Sequence, residues 1–250
     1  MPSTLPSPDA DAPAERDPRG DTGEQARVTC LDRPYVLAIT ETIEAKLFAR
    51  HEEHALIERF AARLRGGDVV YDIGAHAGYH ALAFATRLDE GGCVFAFEAN
   101  PHCHALLTAN AGLNPSLRVE PRHLAVTDAP GEITLRHGAA YAASARLRDA
   151  HGDSRTRVAA TSVDAFAETH PPPDAVKIDV EGAEDLVFAG MPRTLGDPRL
   201  RAILLELHPQ WLAEGPDAAD ALRAELAAHG FVETYRETRR QQMHLLLERG

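Results

Sequence analysis

Asp68–Tyr79 reads Asp-Val-Val-Tyr-Asp-Ile-Gly-Ala-His-Ala-Gly-Tyr, and it constrains the rest of the chain more than any other stretch. Val69 to Ile73 form a short apolar, β-branched run without proline, the composition of a buried strand. The run ends in small residues, Gly74 to Gly78, and an alanine-rich helical pattern follows from Tyr79 to Leu88. A strand that turns through small residues into a helix presents free backbone N–H groups and the positive helix end to a ligand. Gly74 and Gly78 lack Cβ and permit close approach, and Asp72 sets a carboxylate at the strand end.

The next apolar run, Cys93 to Phe97, ends on Glu98, about twenty residues past the turn, where nucleotide-binding α/β domains place a carboxylate on ribose hydroxyls. Gly-x-Gly-x-x-Gly is absent, and a Gly-x-x-x-Gly turn by itself is equally a plain strand-ending turn. The specific signal is the ordered set of strand, turn, helix, strand and Glu98.

Four blocks extend this signal: Asp72-Ile-Gly-Ala-His-Ala-Gly-Tyr79, Phe97-Glu-Ala-Asn-Pro101, Lys177-Ile-Asp-Val-Glu-Gly-Ala-Glu184 and Leu205-Glu-Leu-His-Pro209. Through them, from roughly Arg50 to Pro209, the chain resembles the FkbM-type S-adenosylmethionine-dependent methyltransferases. Two departures stand out. His76 occupies a position that is glycine in the broader methyltransferase turn, and Ala99 stands where Glu-Pro-Asn-Pro is usual. The resemblance implies a Rossmann-like class I α/β fold: a mostly parallel sheet, helices on both faces and an antiparallel C-terminal strand. It implies S-adenosyl-L-methionine as cofactor, held by Asp72, Gly74, His76, Gly78, Glu98, Asn100, Ala125 and Asp179. The loop after the third strand, expected over Leu117–Val126, covers the adenine ring in such enzymes, although His123 stands where the family often has Asn.

The formal charge of −12 argues against nucleic acid or an anionic membrane as partner. A hydrophobic content of 44% suffices for one substantial core over 28–250, with an extension at 28–66 and the Rossmann-like core at 67–250. Residues 1–27, rich in Pro, Asp, Ala and Glu, are expected to form a disordered tail. Val28–Thr40 reads as an edge strand or hairpin, and Ala45–Leu64 as a helix. Cys30, Cys93 and Cys103 form no Cys-x-x-Cys pair and read as reduced thiols of a cytoplasmic protein. No apolar stretch reaches the ~18 residues of a spanning helix, so no membrane insertion is expected. Thr156–Thr161 and Glu132–Arg136 alternate like strands, and Gly138–Ser154 is either a plain surface loop or, by the resemblance, a cover for the site. Ala175–Asp179 and Arg201–Leu207 read as further strands, followed by a helix over Ala218–His229 and a final strand pair.

Ligands of open α/β sheets bind at the carboxyl ends of the strands, where Asp72, Glu98, Asp179, Glu181 and His208 all fall. For methyl transfer to a hydroxyl, the catalytic candidates are His208, Asp179 and Glu181. His208 is the general-base candidate, because an unperturbed imidazole titrates near pH ~6.5. The alternative is that it caps its strand before Pro209. Asp179 either holds the methionine amino group or orients the acceptor, and Glu181 orients the acceptor or caps the following helix. Lys177, mid-strand in an apolar run, reads as a structural ion pair. No dedicated metal-chelating motif is present, so no metal is expected, although Asp179, Glu181 and Glu206 would suit a hard cation. His51 and His54 have no carboxylate or Cys cluster beside them and read as a solvated helix face, and the adjacent residues His102, Cys103 and His104 diverge on a helix rather than converge on one ion. The expected acceptor is a hydroxyl of a small molecule or glycan, with the oligomeric state open. An NAD-type oxidoreductase and a non-catalytic nucleotide- or donor-binding module are the competing readings.

Overall fold

The computed structural model describes residues 25–38, 52–137, 154–213, 215–239 and 241–250. The described residues open on a hairpin, β1 (Gln25–Cys30) and β2 (Arg33–Ala38), in which Gln25 pairs with Ala38. Its first strand starts at Gln25, inside the stretch expected to be a tail, whose residues 1–24 lie outside the described ones. The helix expected over Ala45–Leu64 is seen as α1 (Glu52–Ala61).

The core alternates strands and helices: β3 (Val69–Ile73), α2 (Tyr79–Ala85), β4 (Cys93–Phe97), α3 (Pro101–Gly112) and β5 (Val119–Arg122). A small second sheet follows, from β6 (Ala125–Val126), β7 (Gly131–His137) and β8 (Ser154–Thr161), in the order β6-β8-β7. The chain returns through α4 (Val163–Phe166), β9 (Ala175–Ile178), α5 (Glu184–Ala189), α6 (Pro192–Gly196) and β10 (Ala202–Leu207). It closes with α7 (Pro216–Ala228), β11 (Phe231–Arg239) and β12 (Gln242–Arg249).

Among the described residues, seven strands form one sheet in the order β11-β12-β10-β9-β3-β4-β5. The five from β10 to β5 run parallel, and β12 inserts antiparallel between β10 and β11. This is the expected mostly parallel arrangement. From β3 the chain winds outward through β4 to β5, then crosses to β9 and β10 on the other side. The strand order therefore reverses between β3 and β9, and a crevice opens at such a switch point.

Period-two alternation sorts the side chains into two cores. Val70, Val94, Ala96, Leu204 and Leu246 face α1, α2, α3 and the hairpin, while Tyr71, Ile73, Phe97, Ile178 and Leu205 face α4 to α7. Each fully buried Leu, Ile or Phe contributes ~1.5–3 kcal/mol relative to exposure. Asp72 and Lys177 share the parity of the first face, so the polar residues there arise from the same alternation that builds the core.

One expected strand divides in two. Leu117–Val126 splits into β5, on the edge of the large sheet, and β6, which pairs with β8 in the small one. Pro121 lacks an N–H and is tolerated on the edge strand β5, and the chain leaves the ladder after Arg122. The segment expected to cover the site lies outside the described residues up to Ser154, which opens β8.

Candidate active site

The carboxyl ends of β3, β4, β9 and β10 form one rim. At β3, the turn is held by its neighbours: the N–H groups of Gly74 and Ala75 both donate to the Phe97 carbonyl. Gly74 has φ +80, and a Cβ there would lie 1.8 Å from the Asp179 carbonyl oxygen. Only glycine lets the β3 turn cross this close to the end of β9. Gly78, at φ +87, lets α2 begin against Leu107, whose Cδ1 would stand 2.8 Å from an added Cβ. His76 between them holds φ 50, an uncommon conformation for a residue with a side chain.

That conformation aims the His76 N–H at Glu98, whose Oε2 accepts it at 2.7 Å. Oε1 of Glu98 accepts the N–H of Asn100 at 2.7 Å. Glu98 is thus fixed across the turn at the end of β4. Burial pushes its carboxyl up to about 7, against the opposing pull of the Asn100 and His76 N–H groups. Asn100, expected to touch the cofactor, is buried and caps α3 through the His102 N–H at 3.0 Å. Its N–H and its cap also fix the backbone around Glu98. Ala125, also expected at the cofactor, pairs with Ala160 in the small sheet.

Asn110 of α3 was not singled out in the sequence, yet it braces the turn. Its Nδ2 donates to the Ala77 carbonyl at 2.8 Å, and its Oδ1 accepts the Ala38 N–H of β2 at 2.8 Å. The hairpin is thereby fastened to the glycine turn.

Lys177 and Asp72 are register partners on β9 and β3. The Lys177 Nζ lies 3.2 Å from Asp72 Oδ1 and 3.4 Å from Asp179 Oδ2, and donates to the Gly74 carbonyl at 2.7 Å. Burial alone would lower the Lys177 pKa. Asp72, Asp179 and Glu206 outweigh it and hold the ammonium above its ordinary range. Lys177 is 2% exposed, and its partners are those of the structural ion pair that the sequence suggested.

At the end of β10, His208 is 0% exposed and lies flat on Trp211, with ring centroids 4.8 Å apart. Its Nδ1 is 2.8 Å from Glu184 Oε1, and the same oxygen accepts the Gly182 N–H at 3.0 Å. The ring's partner comes from α5, so the imidazole does not cap its own strand. Nε2 points toward Glu206 Oε1 at 3.6 Å and Glu181 Oε2 at 3.8 Å. Burial by itself would lower the His208 pKa. The Glu184 hydrogen bond and charge, with Asp179 and Glu181, overcome it and raise the value to about 9. The ring is therefore an imidazolium at neutral pH, unlike the neutral base expected from an unperturbed pKa. Glu181 holds φ 54, a second strained backbone at the rim.

The structure thus brings Asp72, Asp179, Glu181 and His208 together around Lys177, Glu184 and Glu206, and keeps Glu98 with His76 on the neighbouring turn. Glu184 had been visible only as the last residue of the Lys177–Glu184 block. A small cavity beside this cluster is lined by Leu56, Ile57, His80, Lys177, Glu206 and His244, among others.

Residues 72–233 match the family described as the Methyltransferase FkbM domain. The chain belongs to that family. The FkbM domain embraces both halves of the rim, from Asp72 through His208. A curated relative, Hexuronic acid methyltransferase AglP of Haloferax volcanii, is 30% identical over 143 residues. The match spans 56% of this chain and 56% of that protein, so the chain spans little more than half the length of this relative. Among solved structures, an rRNA methylase from Streptococcus thermophilus superposes with a TM-score of 0.51 at 12% identity, covering 80% of this chain and 96% of that one. The fibrillarin pre-rRNA processing protein of Methanococcus jannaschii gives 0.50 at 11% identity, over 90% and 82%. At these identities the likeness is one of fold: the FkbM domain shares the Rossmann-like methyltransferase architecture. Among the described residues no helix is long and apolar enough to cross a membrane.

Proposed function

We infer that this FkbM-family methyltransferase moves a methyl group from S-adenosyl-L-methionine to a hydroxyl of a small molecule or glycan, in the cytoplasm. The carrying observation is Glu98, clamped by the His76 and Asn100 N–H groups at the end of β4 beside the Gly74–Gly78 turn. A carboxylate there suits ribose hydroxyls, and the turn leaves room for the rest of the donor. Asp72, Gly74, His76, Gly78, Glu98 and Asp179 would form the donor side, with Asn100 acting through Glu98.

The acceptor side would be Asp179, Glu181 and His208, with the cavity bounded by Leu56, His80, Glu206 and His244 next to it. Bound there, the donor would supply a methyl carbon made electrophilic by its sulfonium. Asp179, Glu181 and His208 would align the acceptor hydroxyl with it, and the hydroxyl proton would pass to the acidic cluster or to water. Holding both partners in line is the larger part of the rate gain, and proton removal adds to it. A sugar hydroxyl as acceptor is supported by the relative that bears the name of a hexuronic acid methyltransferase.

Calorimetric titration with S-adenosylmethionine and, separately, with NAD tests this reading. One equivalent of the methyl donor should bind and NAD should not. Binding of NAD alone would instead favour the oxidoreductase reading.

A further inference from the structure

Asp179, Glu206 and His208 come from the ends of two adjacent parallel strands, β9 and β10, and their ligand atoms all lie within 4.8 Å of one another. Donors bound ~2.1–2.2 Å from one ion stand at most ~4.4 Å apart, so closing this trio around a cation needs shifts of only a few tenths of an ångström. His208 Nε2 and Glu206 Oε1, at 3.6 Å, are already at that spacing.

A second, independent observation points to a ligand. His208 is 0% exposed, and its Nε2 is buried without a hydrogen-bond partner among the described residues. Leaving such an atom unsatisfied is costly, and a fold tolerates it where the atom has something to bind. The other nitrogen is held by Glu184, itself 0% exposed and tied to the Gly182 N–H. A buried carboxylate on one imidazole nitrogen fixes the ring and turns the other nitrogen toward a metal, the arrangement that supports metal-ligating histidines. Trp211, stacked on the ring, blocks rotation away from it.

We propose that Asp179, Glu206 and His208 bind a divalent cation, with Glu184 as the positioning residue for His208. Two carboxylates and one imidazole, which would give up its Nε2 proton as the cation binds, with no thiolate in the group, match the donor preference of Mn²⁺ or Mg²⁺. Three protein ligands leave coordination positions open for water or an acceptor oxygen. The site rests on the reading of this rim as the acceptor side, and there a cation would polarise the hydroxyl and ease loss of its proton. His208 would then serve as a ligand, and Glu181, whose Oε2 lies 3.8 Å from Nε2, would be the carboxylate outside the ligand set placed to take that proton.

The test is Mn²⁺ binding to the full chain after chelator treatment, followed by loss of the free-ion signal in electron paramagnetic resonance. Saturable binding of one Mn²⁺, competed by Mg²⁺, is expected. Glu206→Gln alters a partly exposed ligand and should weaken binding at least tenfold. Glu184→Gln should weaken it by ~10–100-fold, the usual effect of a supporting residue. Unaltered melting temperatures establish that the variants are folded, and His208→Gln, the second ligand variant, should also weaken binding at least tenfold. Absence of saturable Mn²⁺ binding, or equal affinity in the folded wild type and Glu206→Gln, overturns the site. Titration of the same samples with S-adenosylmethionine reports on the donor side alone, so failure of the metal site and failure of the methyl-transfer reading are told apart.

Discussion

Lys177 and Asp72 face each other across β9 and β3, with Nζ 3.2 Å from Oδ1, and both side chains are shut off from solvent. This pair sits where the sheet reverses direction, directly beneath the Gly74 turn, whose carbonyl accepts from the same ammonium at 2.7 Å. Removing one member leaves the other buried without its counter-charge. Lys177→Met should cost ~3–5 kcal/mol in chemical denaturation, whereas Lys177→Met combined with Asp72→Leu should recover much of the loss. A single variant as stable as the parent would show that the pair does not hold the switch point.

Gly74→Ala is expected to be disruptive although it adds one methyl group. The residue holds φ +80, and the new carbon would meet the backbone oxygen of Asp179 at 1.8 Å, so β3 and β9 would have to separate. A loss of at least ~2 kcal/mol and weaker donor binding should follow. Thermal denaturation of the purified variant measures it, and an unchanged midpoint would contradict the close approach.

Glu98→Ala should weaken S-adenosylmethionine binding by about ten- to a hundred-fold, the ~1.5–3 kcal/mol of hydrogen bonds to a charged acceptor. The wild type should also show pH dependence. With its pKa held near about 7, Glu98 is protonated in an increasing fraction of molecules as pH falls through 7, and donor affinity should fall with it. The stability effect has the opposite sign. Because the folded value exceeds the ordinary 4.5, folding favours the protonated carboxyl. The Glu98 contribution therefore declines as pH rises from about 4.5 to about 7 and is flat above. Calorimetry at pH 6 and pH 8, on wild type and Glu98→Ala, separates the two effects. Equal pH slopes in both proteins would remove Glu98 from the donor site.

The strands that carry the rim were legible because each is a short, largely apolar run with a polar residue at or next to its end. Asp72, Glu98, Asp179 and His208 could therefore be placed at one sheet edge before any coordinates. Four features were hidden for physical reasons. The division of Leu117–Val126 depends on which sheet each half pairs with, a tertiary choice that local pattern does not encode. Asn100 could be seen as polar and adjacent to Glu98, but its cap on His102 depends on where α3 starts. The state of His208 depends on Glu184, which stands 24 positions away in sequence and reaches the ring only through folding of α5. Asn110 escaped notice because an asparagine inside a helix carries no signal until its hydrogen bonds to β2 and the glycine turn are seen.

Methyl transfer itself is tested most directly by incubating the chain with methyl-labelled S-adenosylmethionine and a panel of hydroxylated sugars, uronic acids and small alcohols, with mass detection of both products. An acceptor that gains one labelled methyl on a hydroxyl oxygen, with S-adenosylhomocysteine formed in equal amount, is the predicted result. Label transferred to nitrogen or carbon, or a chain that binds the donor yet releases no S-adenosylhomocysteine with any acceptor, would contradict the account.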